Sequence, residues 1–199
     1  MKVNSISVVL LLAISVSAAG ATPLRRTSGD QLVHKFSGVV LPPRVGLFTR
    51  GDQQLFDPAG RDVRVRYILD HLLWGDVYVY PVGPQHPDLN AEFKIQLTAI
   101  QRLNRNVKVL SRETVHTNQN GRVITGLHAN CELQRELFGE RNRKCGSQFY
   151  VFRDGPWFVA YRFSYPKEKT AIALKHISDF LALWNWKPQQ RVASIETHP

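Results

Sequence analysis

The stretch from Ser147 to Tyr165, SQFYVFRDGPWFVAYRFSY, decides the fold. It reads as two aromatic-rich strands joined at Asp154-Gly155, because a tight hairpin turn needs positive φ and these two residue types adopt it at least cost. Pro156 then opens the second strand, where a missing N–H donor is tolerated. Side chains alternate along a strand, so a two-residue turn places Trp157, Val159, Tyr161 and Phe163 on one face with Tyr150 and Phe152. That face reads as core. The other carries Phe149, Val151, Phe158 and Ala160 near the turn, then Arg162 and Ser164, so it is apolar over only part of its length. A sheet with at least partial cover on both faces implies helices on two sides.

Outward from the hairpin, Pro166 ends the sheet, and Lys167 to about Trp184 reads as a helix with the stripe Leu174, Ile177, Phe180, Leu181 and Trp184. On the other side, Arg135 to Gly146 (RELFGERNRKCG) sets Arg135, Arg141, Arg143 and Lys144 against only Glu136 and Glu140. It reads as a charged surface loop, and Arg135, Arg141, Arg143 and Lys144 are the candidate contacts to an anionic partner. Before it, a strand from Arg122 to about Gln134 carries Cys131, Asn118 to Gly121 supplies a turn, and Val107 to His116 alternates as a strand. Asp88 is an N-cap for a helix to about Asn104, with Leu89, Phe93, Leu97 and Ile100 at helical spacing and Ile95 and Leu103 near that stripe. In Trp74 to Val82, Val77 and Val79 point opposite to Tyr78 and Tyr80. Val63, Val65 and Tyr67 alternate with Arg64 and Arg66, a half-buried strand showing its arginines outward. Further back, Leu32 to Leu41 reads as a first strand ended by Pro42-Pro43. Turns are expected near Gly51-Asp52 and at Asp57 to Gly60.

The chain opens MKVNSISVVLLLAISVSAAGA, with Lys2, an apolar run from Ile6 to Val16 and small residues ending in Ala19-Gly20-Ala21. This is the pattern of a cleaved secretory signal peptide, and the apolar run is too short to span a bilayer. Removing residues 1–21 from the 199 leaves 178, one ordinary domain, and lowers the formal charge from +10 to about +9 because only Lys2 is lost. Residues 22–31 read as a flexible basic lead-in, 32–187 as a single α+β domain and 188–199 as a flexible tail. A basic exported protein is drawn to anionic surfaces. An oxidising compartment also suits a disulfide between Cys131 and Cys145. A metal site of His128, Cys131 and Cys145 is the weaker alternative, because no second close ligand pair accompanies it.

No nucleophile elbow, phosphate-cradling loop, HExxH or CxxC occurs. Asp70-His71 is the one adjacent acid and imidazole, and Asp62, Asp76 and His128 could join them in space. Aromatics interleaved with arginines between Tyr150 and Arg162 could stack on single-stranded nucleic acid, a role that a signal peptide argues against.

The order of elements, the phrase DVYVYPVG before the first helix and GPWFVAYRFSYP before the last resemble small exported bacterial proteins of the PsbP-like or DcrB-like class, over roughly Phe36 to Trp186. The resemblance implies a helix-flanked antiparallel sheet, an α-β-α sandwich without an active site or cofactor. Cystatin-like and nuclear-transport-factor-like curved sheets are the alternatives. The expected function is that of an exported, non-enzymatic envelope protein that binds a protein or an anionic envelope partner in an accessory or assembly role. Two other expectations stand beside it: an inhibitor or immunity-type protein acting through the basic loop, and a hydrolase-like enzyme with its site around Asp70 and His71.

Overall fold

A computed structural model describes residues 22–186. The signal-peptide stretch and the C-terminal tail lie outside the described residues. Strands β1 (Leu24–Arg26), β2 (Leu32–His34) and β3 (Val40–Leu41) form a small antiparallel sheet. The main sheet contains β4 (Arg44–Val45), β5 (Phe48–Leu55), β6 (Val63–Leu69), β7 (Leu73–Pro81), β8 (Arg105–Gln119), β9 (Arg122–Leu137), β10 (Glu140–Asp154) and β11 (Trp157–Pro166). Its spatial order is β4-β5-β6-β7-β11-β10-β9-β8, so it is open at β4 and β8. Helix α1 (Leu89–Leu103) links β7 to β8, and α2 (Thr170–Leu183) follows β11 after a 3-10 turn at Lys167–Lys169. The class is α+β, a mostly antiparallel sheet with two helices.

The central hairpin forms with its turn one residue further on than the sequence suggests. Asp154 pairs with Trp157, so Gly155 and Pro156 are the turn residues, and Gly155 has a φ of 60°. That is the position a type II′ turn gives to glycine. Phe152 now faces Val159, and Tyr150 faces Tyr161. The partition of faces survives because odd residues of β11 still oppose even residues of β10.

One face packs on α2. Phe180 inserts among Phe48, Tyr67, Phe163 and Trp184, with ring centroids 4.9, 5.4, 5.3 and 5.5 Å away. The chain beyond α2 ties the two sheets together. Trp184 Nε1 donates to the Val40 carbonyl at 2.9 Å, and the Val40 amide donates to the Trp186 carbonyl at 2.8 Å. On the opposite face, Phe93, Leu97 and Ile100 of α1 bury against Phe149, Val151, Phe158 and Ala160. As expected, the Asp88 side chain caps α1, accepting from the Ala91 amide at 2.8 Å.

Several local expectations need correction. Part of the lead-in is ordered, since Leu24 to Arg26 pair with Leu32 to His34 and bury Leu24. The first strand is two short ones separated by a turn near Gly38. Gly51 and Asp52 are not a turn; they lie inside β5 at a bulge against β6. Residues 135–146 are not a loop either, because β9 and β10 run on to a tight turn at Phe138-Gly139 and bury Leu137. On α2, Ala173 is buried where Leu174 was expected, and Leu174 is exposed.

Three glycines make room for the aromatic core. Gly75, Gly126 and Gly146 sit directly across from Phe163, Phe152 and Tyr165 on the neighbouring strands. In each pair the ring lies over the missing side chain, an arrangement that covers the glycine backbone. A Cβ at Gly75 would come within 2.6 Å of Phe163 Cε1. Gly75→Ala is therefore expected to cost about 1–3 kcal/mol by overpacking, measured by urea unfolding, and much less in a Phe163→Leu background.

Candidate anion-binding face

Strand alternation sends the even residues of β6, β7 and β11 to the α1 side of the sheet. Arg64 and Arg66, Trp74, Asp76 and Tyr78, and Arg162 and Ser164 therefore share one face. Register then aligns them. Asp76 stands directly opposite Arg66 on one neighbouring strand and Arg162 on the other. Asp76 is buried, and its carboxylate is held side-on by Arg66, with Nε–Oδ1 at 2.7 Å and Nη2–Oδ2 at 3.0 Å. Arg64 Nη1 lies 3.7 Å from the same carboxylate and pairs through Nη2 with Asp52.

Arg162 is left without this partner. Its Nε and Nη2 are shut off from solvent, and no described residue accepts from them. Arg135, reaching across β10 from β9, donates to Ser164 Oγ at 3.1 Å and adds a further positive charge to this face. Its guanidinium lies 5.2 Å from the centre of the Trp74 ring, and that of Arg66 lies 4.4 Å from it. Four arginines thus gather around one buried carboxylate. Burial, with Arg135 next to it, holds Arg162 below the ordinary arginine value. Burial also lowers Arg135, partly offset by Asp76. Arg66 is buried too, but its hydrogen bond and charge contact with Asp76 outweigh that and hold it above the ordinary value.

The four expected anion-binding residues are divided by this geometry. Arg135 joins the cluster. Arg141 is exposed and lines a groove of 510 Å³ with Arg105 and Arg135. Arg143 is taken by Glu140 at 2.8 Å and Glu168 at 2.6 Å, and Lys144 is exposed away from that groove. Arg64 and Arg66, read as pointing to solvent, are mostly covered. Alternation gave their face correctly, but it could not show that this face is also screened.

The expected disulfide is not formed. Cys131 and Cys145 are both free and buried. Cys131 lies opposite Ser147 and Cys145 opposite Leu133. The two thiols are diagonal neighbours, roughly 7–8 Å apart between Cα atoms, beyond the usual disulfide span of roughly 4.4–6.8 Å. Burial raises both thiols above their ordinary value. His128 cannot complete a metal site with them, because alternation turns it to the other face. There it bonds Glu113 at 2.7 Å and Gln148 at 2.6 Å and stacks on Tyr150.

The acids and imidazoles of the hydrolase-like reading are scattered. Asp70 and His71 are 3.7 Å apart on an exposed turn, and both side chains are 87% accessible. Asp76 is engaged by arginine, and Asp62 lies at the far end of β6. Sequence reading missed a different acidic cluster beneath the first turn of α1. Glu92, buried, accepts from Tyr80 Oη at 2.6 Å and from Gln96 Nε2 at 2.7 Å. His86 Nδ1 is 3.2 Å from Glu92 but is not aligned for a hydrogen bond. A glutamate three residues into an amphipathic helix normally faces water, and only its spacing one residue before Phe93 hinted otherwise.

No family model matches the chain, and no curated protein matches it. Among solved structures it is similar to a Pseudomonas aeruginosa protein of unknown function, PA94, at 11% identity and a TM-score of 0.46 over 83% of this chain and 96% of that one. It is also similar to the cyanobacterial PsbP (CyanoP) of Synechocystis sp. PCC 6803, at 13% identity and a TM-score of 0.45, covering 84% of this chain and 94% of that one. Among the described residues no helix is long and apolar enough to cross a membrane.

Asp62 supplies a pH test of this end of the sheet. Burial, then Asp57 and Glu92, raise its carboxyl from 3.8 to about 6, with His86 opposing. A raised carboxyl destabilises the fold once it ionises, so this cost is present above about pH 6 and vanishes as pH falls through 6 toward 3.8. Asp62→Asn should stabilise the protein near pH 8 by about 1–2 kcal/mol, after discounting for its partial exposure, and by almost nothing below about pH 3.5. Chemical denaturation at the two pH values reads the difference.

Proposed function

We propose that the chain is an exported, non-enzymatic protein that binds an anionic envelope partner through the arginine-rich face of its sheet, in an accessory or assembly role. The observation that carries this reading is the excess of positive charge on one face: Arg64, Arg66, Arg135 and Arg162 around the single buried carboxylate of Asp76. Exposed Arg105 and Arg141 extend that field across the adjoining groove. Asp76, Asp52 and Glu136 offset part of this charge, and the positive remainder raises the local concentration of anions. Export is supported by the N-terminal sequence pattern, and a binding role rather than turnover by the dispersal of Asp62, Asp70, His71 and His128. The basic residues expected to act as a loop contribute instead through the groove, by way of Arg135 and Arg141.

Residues 22–199 should sediment with phosphatidylglycerol vesicles at low salt and much less with phosphatidylcholine vesicles, because exposed charge contacts weaken as salt shortens the screening length. Arg105→Gln combined with Arg141→Gln should lower partitioning roughly thirtyfold, at ~1 kcal/mol for each basic residue near an anionic surface. Equal partitioning of the double variant would remove the groove from the account.

A further inference from the structure

The outer arc of α1 carries apolar side chains that its packing on the sheet does not use. Phe93, Leu97 and Ile100 turn inward, whereas Ala91, Ile95, Ala99 and Leu103 recur every four residues and share one open surface with Lys94 and Arg102. Ile95 is 43% exposed, and Leu103, at 79%, is the most exposed large apolar side chain among the described residues. A single exposed leucine is ordinary on a protein surface. A row of apolar residues flanked by cations is the pattern of a helix that lies in a lipid interface.

The charge on this arc has one sign. Glu92 is the helix's one acidic residue, and it is buried, accepting from Tyr80 and Gln96. Lys94 and Arg102 therefore face outward with no carboxylate of the helix beside them. Leu103 also lines the basic groove, so the arc runs directly into Arg105 and Arg141. A second copy of the chain would set these cations against their own images. An anionic bilayer offers phosphates to the cations and, just beneath them, hydrocarbon to Ile95 and Leu103.

We propose that the outer arc of α1 docks the protein on anionic lipid bilayers, the helix lying in the headgroup plane with Ile95 and Leu103 inserted and Lys94, Arg102 and Arg105 on the lipid phosphates. The proposal rests on the reading of this side of the molecule as anion-binding, and it names the partner as lipid rather than protein. The helix, 15 residues long, lies on the membrane and does not cross it.

The test uses residues 22–199 with an environment-sensitive fluorophore on Leu103→Cys, the native thiols being buried. Lys175→Cys, on α2 across the sheet, is the control. Phosphatidylglycerol vesicles should blue-shift the label at 103 and leave that at 175 in water; phosphatidylcholine vesicles should shift neither. Ile95→Ser with Leu103→Ser should lower partitioning to phosphatidylglycerol about five- to tenfold. Its urea midpoint should not change, because both side chains are exposed. Arg105→Gln with Arg141→Gln should reduce the fraction bound but not the blue shift of the bound fraction, which separates insertion from attraction by the groove. Binding with the label at 103 still in water, or equal partitioning of the double serine variant, overturns insertion and leaves the anion-binding reading standing. No binding to phosphatidylglycerol at all overturns both. A label shielded equally by soluble polyglutamate would make the arc a protein-docking surface and overturn the lipid assignment.

Discussion

The pairing of β10 with β11 across Gly155-Pro156 is the constraint on which the rest of the molecule depends. Because Asp154 faces Trp157, Phe152, Tyr161 and Phe163 turn together toward α2, while Phe149, Phe158 and Ala160 turn toward α1. A slip of one residue would exchange the two sets and put Arg162 into the aromatic core. The glycines fix the pairing from the neighbouring strands. Phe163 lies over Gly75 of β7 and Phe152 over Gly126 of β9, so each large ring meets a position with no side chain. Phe180 then closes the aromatic layer from α2, and Trp184 and Trp186 carry that layer to the small sheet.

The same pairing creates the polar face. Asp76 is opposite arginine on both sides, and one carboxylate cannot satisfy two side-on guanidinium forks. Arg66 takes it. Arg162 keeps its charge in a partly desolvated place next to Arg135, favoured by the charge of Asp76 without a hydrogen bond to it. Trp74 lies against both Arg66 and Arg135, and Arg135 also lines the exposed groove with Arg105 and Arg141.

Much of this fold was legible because period-two alternation and turn chemistry are local signals. The face assignments of Tyr150, Phe152 and Trp157 to Phe163, the Asp88 cap and the stripe Phe93, Leu97 and Ile100 all follow from them. Less of the site was legible. That Arg64 and Arg66 are largely covered depends on their pairing with Asp52 and Asp76 and, for Arg66, on the Trp74 ring, partners that alternation cannot register. The segment from Arg135 to Gly146 looked like a loop because charge outweighed its weak alternation, yet pairing with its own continuation extends β9 and β10 through it. Composition and the export signal suggested that the two cysteines were joined, but register decided the matter by setting them diagonally. The Asp76 choice between Arg66 and Arg162 is likewise a property of strand order, since β6 and β11 become neighbours of β7 only in the folded sheet.

The central claim is that the register of β10 against β11 sets both faces of the sheet. The measurement that tests it most directly is the set of cross-strand nuclear Overhauser contacts along this hairpin. The account predicts contacts between Phe152 and Val159 and between Tyr150 and Tyr161. Contacts between Phe152 and Trp157 in their place would contradict it.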